Sequence, residues 1–253
     1  MNGVALRTLV TRELIRSLKV INQVIWPPVI MTCLYVFVFG VALGKALPNM
    51  QGVSYAQFLI PGLIMLQVID SSYGECSSSV FQGRFMGSIQ EMLVAPMSAF
   101  EIVAGYVLGS VARAFLIAAL ITVLGVVLVH TLPSNWALYL AVIAITSVLF
   151  SALGLIFGLM AEKFDHIAVL TTFAITPLVF VGGVFTSAKS LPPVLQKAEL
   201  FNPMFYTIDA FRYSFTGHSD LSLALSLGVI CGLAVLAGAI VLRMVATGYK
   251  IRA

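Results

Sequence analysis

Charged side chains are scarce in this sequence of 253 residues. Asp, Glu, Lys and Arg make up only 9% of it, whereas they make up roughly 25% of soluble globular domains. Hydrophobic residues account for 60%, and the mean hydropathy is +1.05. This composition excludes a soluble globular protein and predicts an all-α integral membrane protein. Because no stretch is long enough to form a second, soluble unit, we expect residues 1–253 to form one membrane domain.

Chemically reactive groups are few as well. The three cysteines, Cys33, Cys76 and Cys231, lie in or beside apolar runs without CxxC spacing, so we expect neither disulfides nor a metal site. His130 and His218 are isolated, and no nucleophile, base and acid occur together as a catalytic site requires. These absences argue against an enzyme and against a cofactor bound by this chain, and we expect no nucleic-acid partner.

Long uncharged stretches are the most informative feature that is present. A helix needs about 20 apolar residues to cross a hydrocarbon core of about 30 Å. Residues 114–161 carry no charge, which is too long for one crossing, and Pro133-Ser134-Asn135 divides them. The alternation typical of a β-barrel is absent. The six predicted spans are residues 24–44, 55–80, 101–129, 136–160, 167–186 and 221–245.

Residues 1–21 predict an amphipathic helix in the membrane interface. Its apolar residues on one side of a helical projection are Leu6, Val10, Leu14, Leu18 and Ile21. The basic residues on the opposite side are Arg12, Arg16 and Lys19. A helix of this kind buries its apolar side in lipid and directs its basic side toward anionic headgroups.

A polar break at residues 83–101 separates the second and third spans. Ser88 to Ala95 contains no Gly or Pro and can form about two helical turns, which Pro96 ends. Ser98-Ala99-Phe100-Glu101 has the pattern of a capping box that begins the next helix. We therefore predict a short helix parallel to the membrane surface, which is either a docking surface or an ordinary connector.

The segment after the fifth span predicts two short helices. Pro192-Pro193 begins the first, Asn202-Pro203 separates the two, and Gly217 ends the second. The second helix is rich in aromatic residues. Together the helices would lie at the outer interface or dip into the membrane as a re-entrant hairpin.

Lys and Arg are distributed unequally between the two sides of the membrane. With six spans, both termini share one side, which carries nine of the 14 basic residues, while four lie opposite and Arg113 lies within the membrane. The positive-inside rule places both termini, the 83–101 loop and the turn at residues 161–166 in the cytoplasm.

The second span has an unusual polar face. Side chains that face lipid cannot satisfy their polar groups, so this face should contact protein or a water-filled cavity. With Arg113 of the third span, the candidates for a translocation pathway are Gln67, Asp70, Ser71, Glu75 and Arg113. Asp70 and Arg113 lie at similar depths from the 83–101 loop, which suggests that they form an ion pair. The alternative is that each faces a different cavity or subunit.

Four Gly-xxx-Gly pairs occur within the spans. They are Gly40/Gly44, Gly105/Gly109, Gly154/Gly158 and Gly228/Gly232. Such pairs permit close packing of two helices, but Gly is common in membrane spans, so each pair alone is a weak signal.

Several short motifs occur in a particular order along the chain. They are Pro61-Gly62, Glu91-Met92-Leu93-Val94-Ala95-Pro96, Gly105, Thr176-Pro177, Gly182-Gly183-Val184-Phe185, Leu191-Pro192, Asn202-Pro203 and Phe211-Arg212-Tyr213. Together with the amphipathic N-terminal helix, this order and spacing resembles the permease subunits of ABC-2 type transporters over nearly the whole chain.

The resemblance implies a permease in the cytoplasmic (inner) membrane of a bacterium, without an ATPase site of its own. It would pair with a second permease copy, usually as a homodimer, and with two cytoplasmic ABC ATPase subunits that bind ATP and Mg. Contact with the ATPase would fall on Glu91, Met92, Leu93, Pro96, Arg12 and Arg16, and a smaller contact on Glu162 and Asp165. The outer gate hairpin would contain Gly182, Gly183, Phe185, Asn202, Pro203, Phe205 and Phe211.

The family exports drugs, lipid-linked polysaccharides and other amphiphiles, so the resemblance implies outward transport of an amphiphilic, lipid-like or drug-like substrate. The alternative is a gradient-driven secondary transporter that uses Asp70 and Glu75 as proton sites. Such transporters contain internal repeats, whereas the polar second span has no counterpart in the later half of the chain. A scaffold or a membrane enzyme is disfavoured by the missing catalytic constellation.

Overall fold

The computed structural model describes residues 3–42, 44, 50, 52–87 and 97–250, and these residues form helices without a β-sheet. The helices are α1 (Gly3–Lys19), α2 (Ile21–Tyr35), α3 (Tyr55–Phe85), α4 (Ala99–Val129), α5 (Trp136–Met160), α6 (Phe164–Leu170), α7 (Thr176–Val179), α8 (Pro193–Glu199), α9 (Pro203–Thr216) and α10 (Leu223–Thr247). Segments of π-helix extend α2 through Val36–Ala42, join α6 to α7 through Thr171–Ile175, and prolong α7 through Phe180–Val184. The predicted all-helical class is confirmed.

Five helices in the described part of the chain are long and apolar enough to cross a membrane. They are Ile21–Gly40, Ala99–Val129, Trp136–Met160, Phe164–Val184 and Leu223–Thr247. The remaining predicted span corresponds to α3, which has 31 residues but is not one of the five. Its length would reach about 46 Å at 1.5 Å per residue, so polar side chains, not length, set it apart.

Helix α3 lies at the centre of the fold, packed against α4, α5 and α9. Phe58, Ile64 and Val68 on this helix are fully buried. Its contact with α5 depends on Gly154 and Gly158, because a Cβ atom at Gly158 would lie 2.6 Å from the Ser77 carbonyl oxygen. This Gly-xxx-Gly pair therefore allows the two backbones to approach closely.

A second Gly-xxx-Gly pair holds α1 against α4. A Cβ atom at Gly109 would lie 2.6 Å from the Cβ of Glu13, and Gly105 faces Leu9 in the same way. In contrast, a Cβ atom at Gly228 or Gly232 of α10 would meet no atom of another described residue within 4 Å. The sequence pattern is the same in all these pairs, and only the packing distinguishes them.

The face of α1 that packs on the protein differs from the predicted apolar face. Leu9 and Glu13 are its buried residues, whereas Leu18 is exposed. The sequence predicts that Arg12 and Arg16 point toward lipid headgroups. In the structure both guanidinium groups bond to protein side chains instead, so this part of the prediction is wrong. Gly105 and Gly109 of α4 determine which face of α1 packs on the protein, because Leu9 and Glu13 approach them more closely than a larger residue would allow.

The capping box at the start of α4 is confirmed. The Ser98 hydroxyl accepts a hydrogen bond from the Glu101 backbone N–H at 3.3 Å, and the Glu101 carboxylate accepts one from the Ser98 N–H at 2.8 Å. The short helix predicted just before it, with Glu91, Met92, Leu93 and Pro96, lies outside the described residues.

Candidate functional site

The carboxylate of Glu75, in the middle of α3, joins three helices. Its Oε1 accepts hydrogen bonds from Arg16 Nη2 of α1 at 2.5 Å and from the Ser17 hydroxyl at 2.8 Å. Its Oε2 accepts a hydrogen bond from Arg113 Nη1 of α4. The Glu75 side chain is only 3% exposed. Burial of a carboxylate is costly unless it is paired and hydrogen-bonded, and here two arginines meet that need.

A second buried carboxylate, Glu13 of α1, extends this network. Its Oε1 accepts a hydrogen bond from Arg12 at 2.8 Å, and its Oε2 accepts hydrogen bonds from Arg16 at 3.2 Å and from the Ser79 hydroxyl at 2.7 Å. Arg12 also donates to the Tyr106 hydroxyl at 3.2 Å. We call Arg12, Glu13, Arg16, Glu75 and Arg113 the Glu75 cluster. The cluster connects α1 to α3 and α4.

The predicted ion pair between Asp70 and Arg113 is not the one that forms. Arg113 makes its ion pair with Glu75, and Asp70 forms no hydrogen bond or ion pair with a described residue. Glu75 is five residues after Asp70 on α3. It is the residue that pairs with Arg113, because Arg16 approaches the same carboxylate from α1. The sequence could not predict this outcome, since it does not show which side of α1 faces α3.

A cavity of about 380 Å³ lies between α2, α3, α4 and the Phe164–Val184 helix. The five residues predicted for a translocation pathway all contribute to its wall, and they are Gln67, Asp70, Ser71, Glu75 and Arg113. The opposite wall is largely apolar and includes Met31, Tyr35 and Phe180. The cavity thus combines one polar helix face with apolar and aromatic side chains, as ligand pockets in proteins commonly do.

An aromatic cluster closes one end of this cavity. The Phe185 ring lies 5.6 Å from that of Tyr35, 5.0 Å from that of Phe39 and 5.1 Å from that of Phe180. These centroid separations are typical of favourable aromatic pairs. Phe185 directly follows Val184, the last residue of the Phe164–Val184 helix, so the cluster connects the cavity to the hairpin beyond it.

The Phe164–Val184 helix ends at a kink formed by two glycines. Gly182 has non-helical backbone angles and Gly183 has a φ of +93°, which favours glycine. The Gly183 carbonyl oxygen accepts a hydrogen bond from the guanidinium of Arg212. Arg212 is fully buried, with its Cζ 3.9 Å from the centre of the Phe58 ring. An arginine on α9 therefore fixes the kink against α3.

The predicted hairpin helices correspond to α8 and α9. Asn202 caps α9 by accepting from the Met204 N–H at 3.0 Å, and its amide donates to the Leu178 carbonyl oxygen at 2.6 Å. Pro203 occupies the first turn of α9, where its missing N–H costs nothing. Phe205 covers Gly183, whereas Phe211 is buried against Tyr139 and Phe215.

Acidic residues gather around Arg212 in the region between the fifth and sixth predicted spans. Asp209 accepts hydrogen bonds from the backbone N–H groups of Asp220 and Leu221 at 2.7 and 3.2 Å. Asp220 accepts bonds from Ser187 and lies 3.7 Å from Lys189. We call Glu199, Asp209, Arg212 and Asp220 the outer cluster, after the side of the membrane that the sequence predicts for this region.

Glu199 is the unusual member of the outer cluster. It is only 1% exposed, and neither carboxylate oxygen has a hydrogen-bond partner among the described residues. Burial, together with the nearby negative charge of Asp220, raises the pKa of Glu199 to about 7. Burial also lowers the pKa of Arg212 to about 10. Near neutral pH, Glu199 therefore lies close to its own titration point.

The predicted ATPase contacts fall in three places. Glu91, Met92, Leu93 and Pro96 lie outside the described residues, whereas Arg12 and Arg16 belong to the Glu75 cluster. Glu162 and Asp165 lie on an exposed turn, where Glu162 pairs with Lys250 at 3.2 Å. Arg84 supports this turn by donating to the carbonyl oxygens of Leu159 and Ala161 at 2.6 and 2.9 Å.

Sequence reasoning missed Glu13, Glu199 and Asp209. Glu13 is the only acidic residue in the sequence of α1 and stands three residues before Arg16, a spacing that places both on one helix face. This spacing could have identified Glu13 from the sequence. Glu199 and Asp209 carry no comparable signal, because their burial arises from packing between segments that are distant in sequence.

Comparison with known proteins gives a consistent result. Residues 4–216 match the family model described as ABC-2 type transporter. The chain is 40% identical over 227 residues to the inner membrane transport permease YadH of Escherichia coli (strain K12), covering 90% of this chain and 89% of that protein. It is 30% identical over 203 residues to nodulation protein J of Rhizobium leguminosarum bv. viciae, covering 78% of this chain and 77% of that protein.

Both relatives match over most of their own length, and the family model covers α1 through α9. The predicted family is therefore confirmed. A relative named as an inner membrane transport permease and the five apolar helices agree with a multi-pass inner membrane protein. This chain belongs to the ABC-2 type transporter family and is a membrane transport permease.

Proposed function

We propose that this chain is the permease subunit of an ATP-driven ABC exporter. It moves an amphiphilic substrate outward across the inner membrane, with both of its termini in the cytoplasm. Family membership supports the transporter class and implies an ABC ATPase partner. The cavity beside α3 supports the choice of substrate, because it combines a polar helix face with apolar and aromatic side chains.

The observation that carries this proposal is the position of Glu75. Its carboxylate lines the cavity, and it is bonded at the same time to Arg16 of α1 and to Arg113 of α4. A displacement of α1 would therefore change the charges in the cavity wall directly. This is a two-state element whose equilibrium a partner can shift without any chemistry in this chain.

In this mechanism, two cytoplasmic ATPase subunits bind ATP and Mg and close against each other. They press on the segment that contains Glu91, Met92, Leu93 and Pro96, and on the exposed turn at Glu162 and Asp165. Arg12 and Arg16 pass the movement from α1 to α3 through the Glu75 cluster. A second permease copy completes the pathway, and the α8–α9 hairpin forms its outer gate.

The first test is to purify the tagged permease in mild detergent and identify what accompanies it by mass spectrometry. We expect a stoichiometric ABC ATPase whose hydrolysis rate changes when the permease is bound. A permease that purifies without an ATPase in several detergents would contradict the proposal. Transport into vesicles that follows a proton gradient without ATP would favour the secondary transporter based on Asp70 and Glu75 instead.

The coupling route through α1 has a matched pair of variants. Arg16→Ala removes the link from α1 to Glu75, whereas Lys19→Ala removes an exposed charge on the same helix that forms no ion pair with a described residue. We expect the ATPase of the complex to lose its dependence on the permease in Arg16→Ala, while Lys19→Ala behaves as the unmodified protein. Equal behaviour of the two variants would exclude Arg16 from coupling.

A further inference from the structure

Two polar groups in the wall of the 380 Å³ cavity have no partner among the described residues. Gln67 is only 8% exposed, yet its side-chain amide makes no hydrogen bond to a described group. Polar groups in protein interiors are nearly always hydrogen-bonded, and because the Gln67 amide lines the cavity, water or a ligand in the cavity can supply its partner. Asp70 lies one turn further along the same face of α3, where its carboxylate is accessible and makes neither a hydrogen bond nor an ion pair with a described residue.

The charges around the cavity leave a place for a cation. Glu75 also lines the wall, but Arg16, Ser17 and Arg113 already occupy its two oxygens. Arg113 also lines the wall and its positive charge acts on Asp70, but its ion pair is with Glu75. Among the described residues of the cavity wall, Asp70 is therefore the only carboxylate without an ion pair.

The wall that faces α3 is suited to the same kind of ligand. Tyr35 and Phe180 line the cavity and lie 6.1 Å apart in an edge-to-face arrangement. Aromatic faces attract cations, most strongly where water is excluded. Met31 adds apolar surface beside them. A volume of about 380 Å³ is within the range of small-molecule sites.

We propose that this cavity binds an amphiphilic cation, with Asp70 as its counter-ion, Gln67 as a hydrogen-bonding group, and Tyr35 and Phe180 as its aromatic wall. The inference rests on the proposed export function and narrows its substrate to amphiphiles that carry a positive charge. Asp70 acts in recognition only, while Glu75 remains a structural link to α1.

The experiment measures the binding of tetraphenylphosphonium to the full chain in lipid nanodiscs by equilibrium dialysis, without ATP, against empty nanodiscs. The charge of this probe does not change with pH, so any pH dependence of its binding would come from the protein. We expect saturable binding that is at least about tenfold weaker in Asp70→Asn, as expected when one partner of a charge pair is removed from a binding site. Asp70→Glu should retain binding, because it restores the carboxylate.

The aromatic wall is tested in the same assay. Tyr35→Leu and Phe180→Leu should each weaken binding about threefold to tenfold, in line with a single cation–π contact. Tetraphenylborate has the same shape and the opposite charge, so it should bind no better to the permease than to empty nanodiscs. Melting temperatures of all variants identify any that fail to fold.

Three outcomes would overturn the inference. They are the absence of saturable binding to the unmodified chain, equal binding by Asp70→Asn, and equal binding of tetraphenylborate. Crosslinking of Asp70→Cys to itself, together with absent probe binding, would assign this face to a second permease copy instead. Since the assay contains no ATP, its failure leaves the ATPase partnership untouched, and a missing ATPase would leave the cavity result intact.

Discussion

The Glu75 cluster and the outer cluster both bury carboxylates beside arginines, but they satisfy these charges differently. In the Glu75 cluster, side chains from three helices bind one another, and Glu75 accepts from both Arg16 and Arg113. In the outer cluster, Asp209 is held by backbone N–H groups and Arg212 donates to a backbone oxygen. Glu199 is left without a hydrogen-bond partner in the described part of the chain.

This difference matters for how each region responds to change. A carboxylate shared between two arginines fixes the relative positions of the helices that carry them, so its loss leaves partly buried positive charge less well compensated. Asp209 binds backbone N–H groups of the loop that follows its own helix, and Asp220 binds Ser187, so these carboxylates mainly hold loop segments in place. The Glu75 cluster is thus suited to transmit movement between helices, whereas the outer cluster anchors the hairpin and leaves one group able to titrate.

The largest expected effect comes from Glu75→Ala. It leaves Arg113 without an ion pair and Arg16 with Glu13 alone, and breaking a buried ion pair costs up to about 3–5 kcal/mol. We expect a strong loss of folded protein, measured as the midpoint of thermal unfolding in detergent. Glu162→Ala is the control, because its pair with Lys250 is exposed and contributes about 0–1 kcal/mol. Equal stability of the two variants would show that the Glu75 cluster is not structural.

A smaller effect is expected from Arg212→Leu in the outer cluster. The change removes the bond to the Gly183 carbonyl oxygen and the contact with Phe58, at a cost of about 1.5–3 kcal/mol for a charged hydrogen bond. Asp209 keeps its backbone donors, which limits the loss. Lys197→Leu, at an exposed site of α8, should leave the unfolding midpoint unchanged. A loss as large as that of Glu75→Ala would remove the contrast between the clusters.

The smallest and most selective effect should come from Glu199→Gln. The folded state holds the proton of Glu199 more tightly than the unfolded state, because the pKa rises from 4.5 to about 7 on folding. Folding stability therefore falls as pH rises from about 4.5 to about 7, and then levels off. The amide cannot ionise, so we expect a gain of about 2–4 °C in melting temperature at pH 8, corresponding to about 1 kcal/mol.

At pH 4 the Glu199 carboxyl is neutral in the folded state and mostly neutral in the unfolded state, so the gain should nearly disappear. A gain of the same size at both pH values would mean that Glu199 does not titrate in this range. Glu162→Gln provides the comparison, because it makes the same change at an exposed carboxylate instead of a buried one.

Much of the architecture could be predicted from local patterns. The capping box at Ser98, the break at Asn202-Pro203 and the end at Gly217 each depend on a few adjacent residues, and all three occur as predicted. The partner of Arg113 could not be predicted in this way. Asp70 and Glu75 are both within reach along α3, and the choice depends on Arg16, which is 97 residues away from Arg113 in the chain.

By itself the sequence determined the membrane class, the helical elements and the family, because composition, breaker residues and ordered motifs are local or additive properties. Only the tertiary structure decided which Gly-xxx-Gly pairs are filled, which face of α1 turns inward, and which carboxylate of the cavity wall makes no direct ion pair with a described residue. These outcomes depend on which side chains meet across helices, and several packings are compatible with the same pattern along one chain.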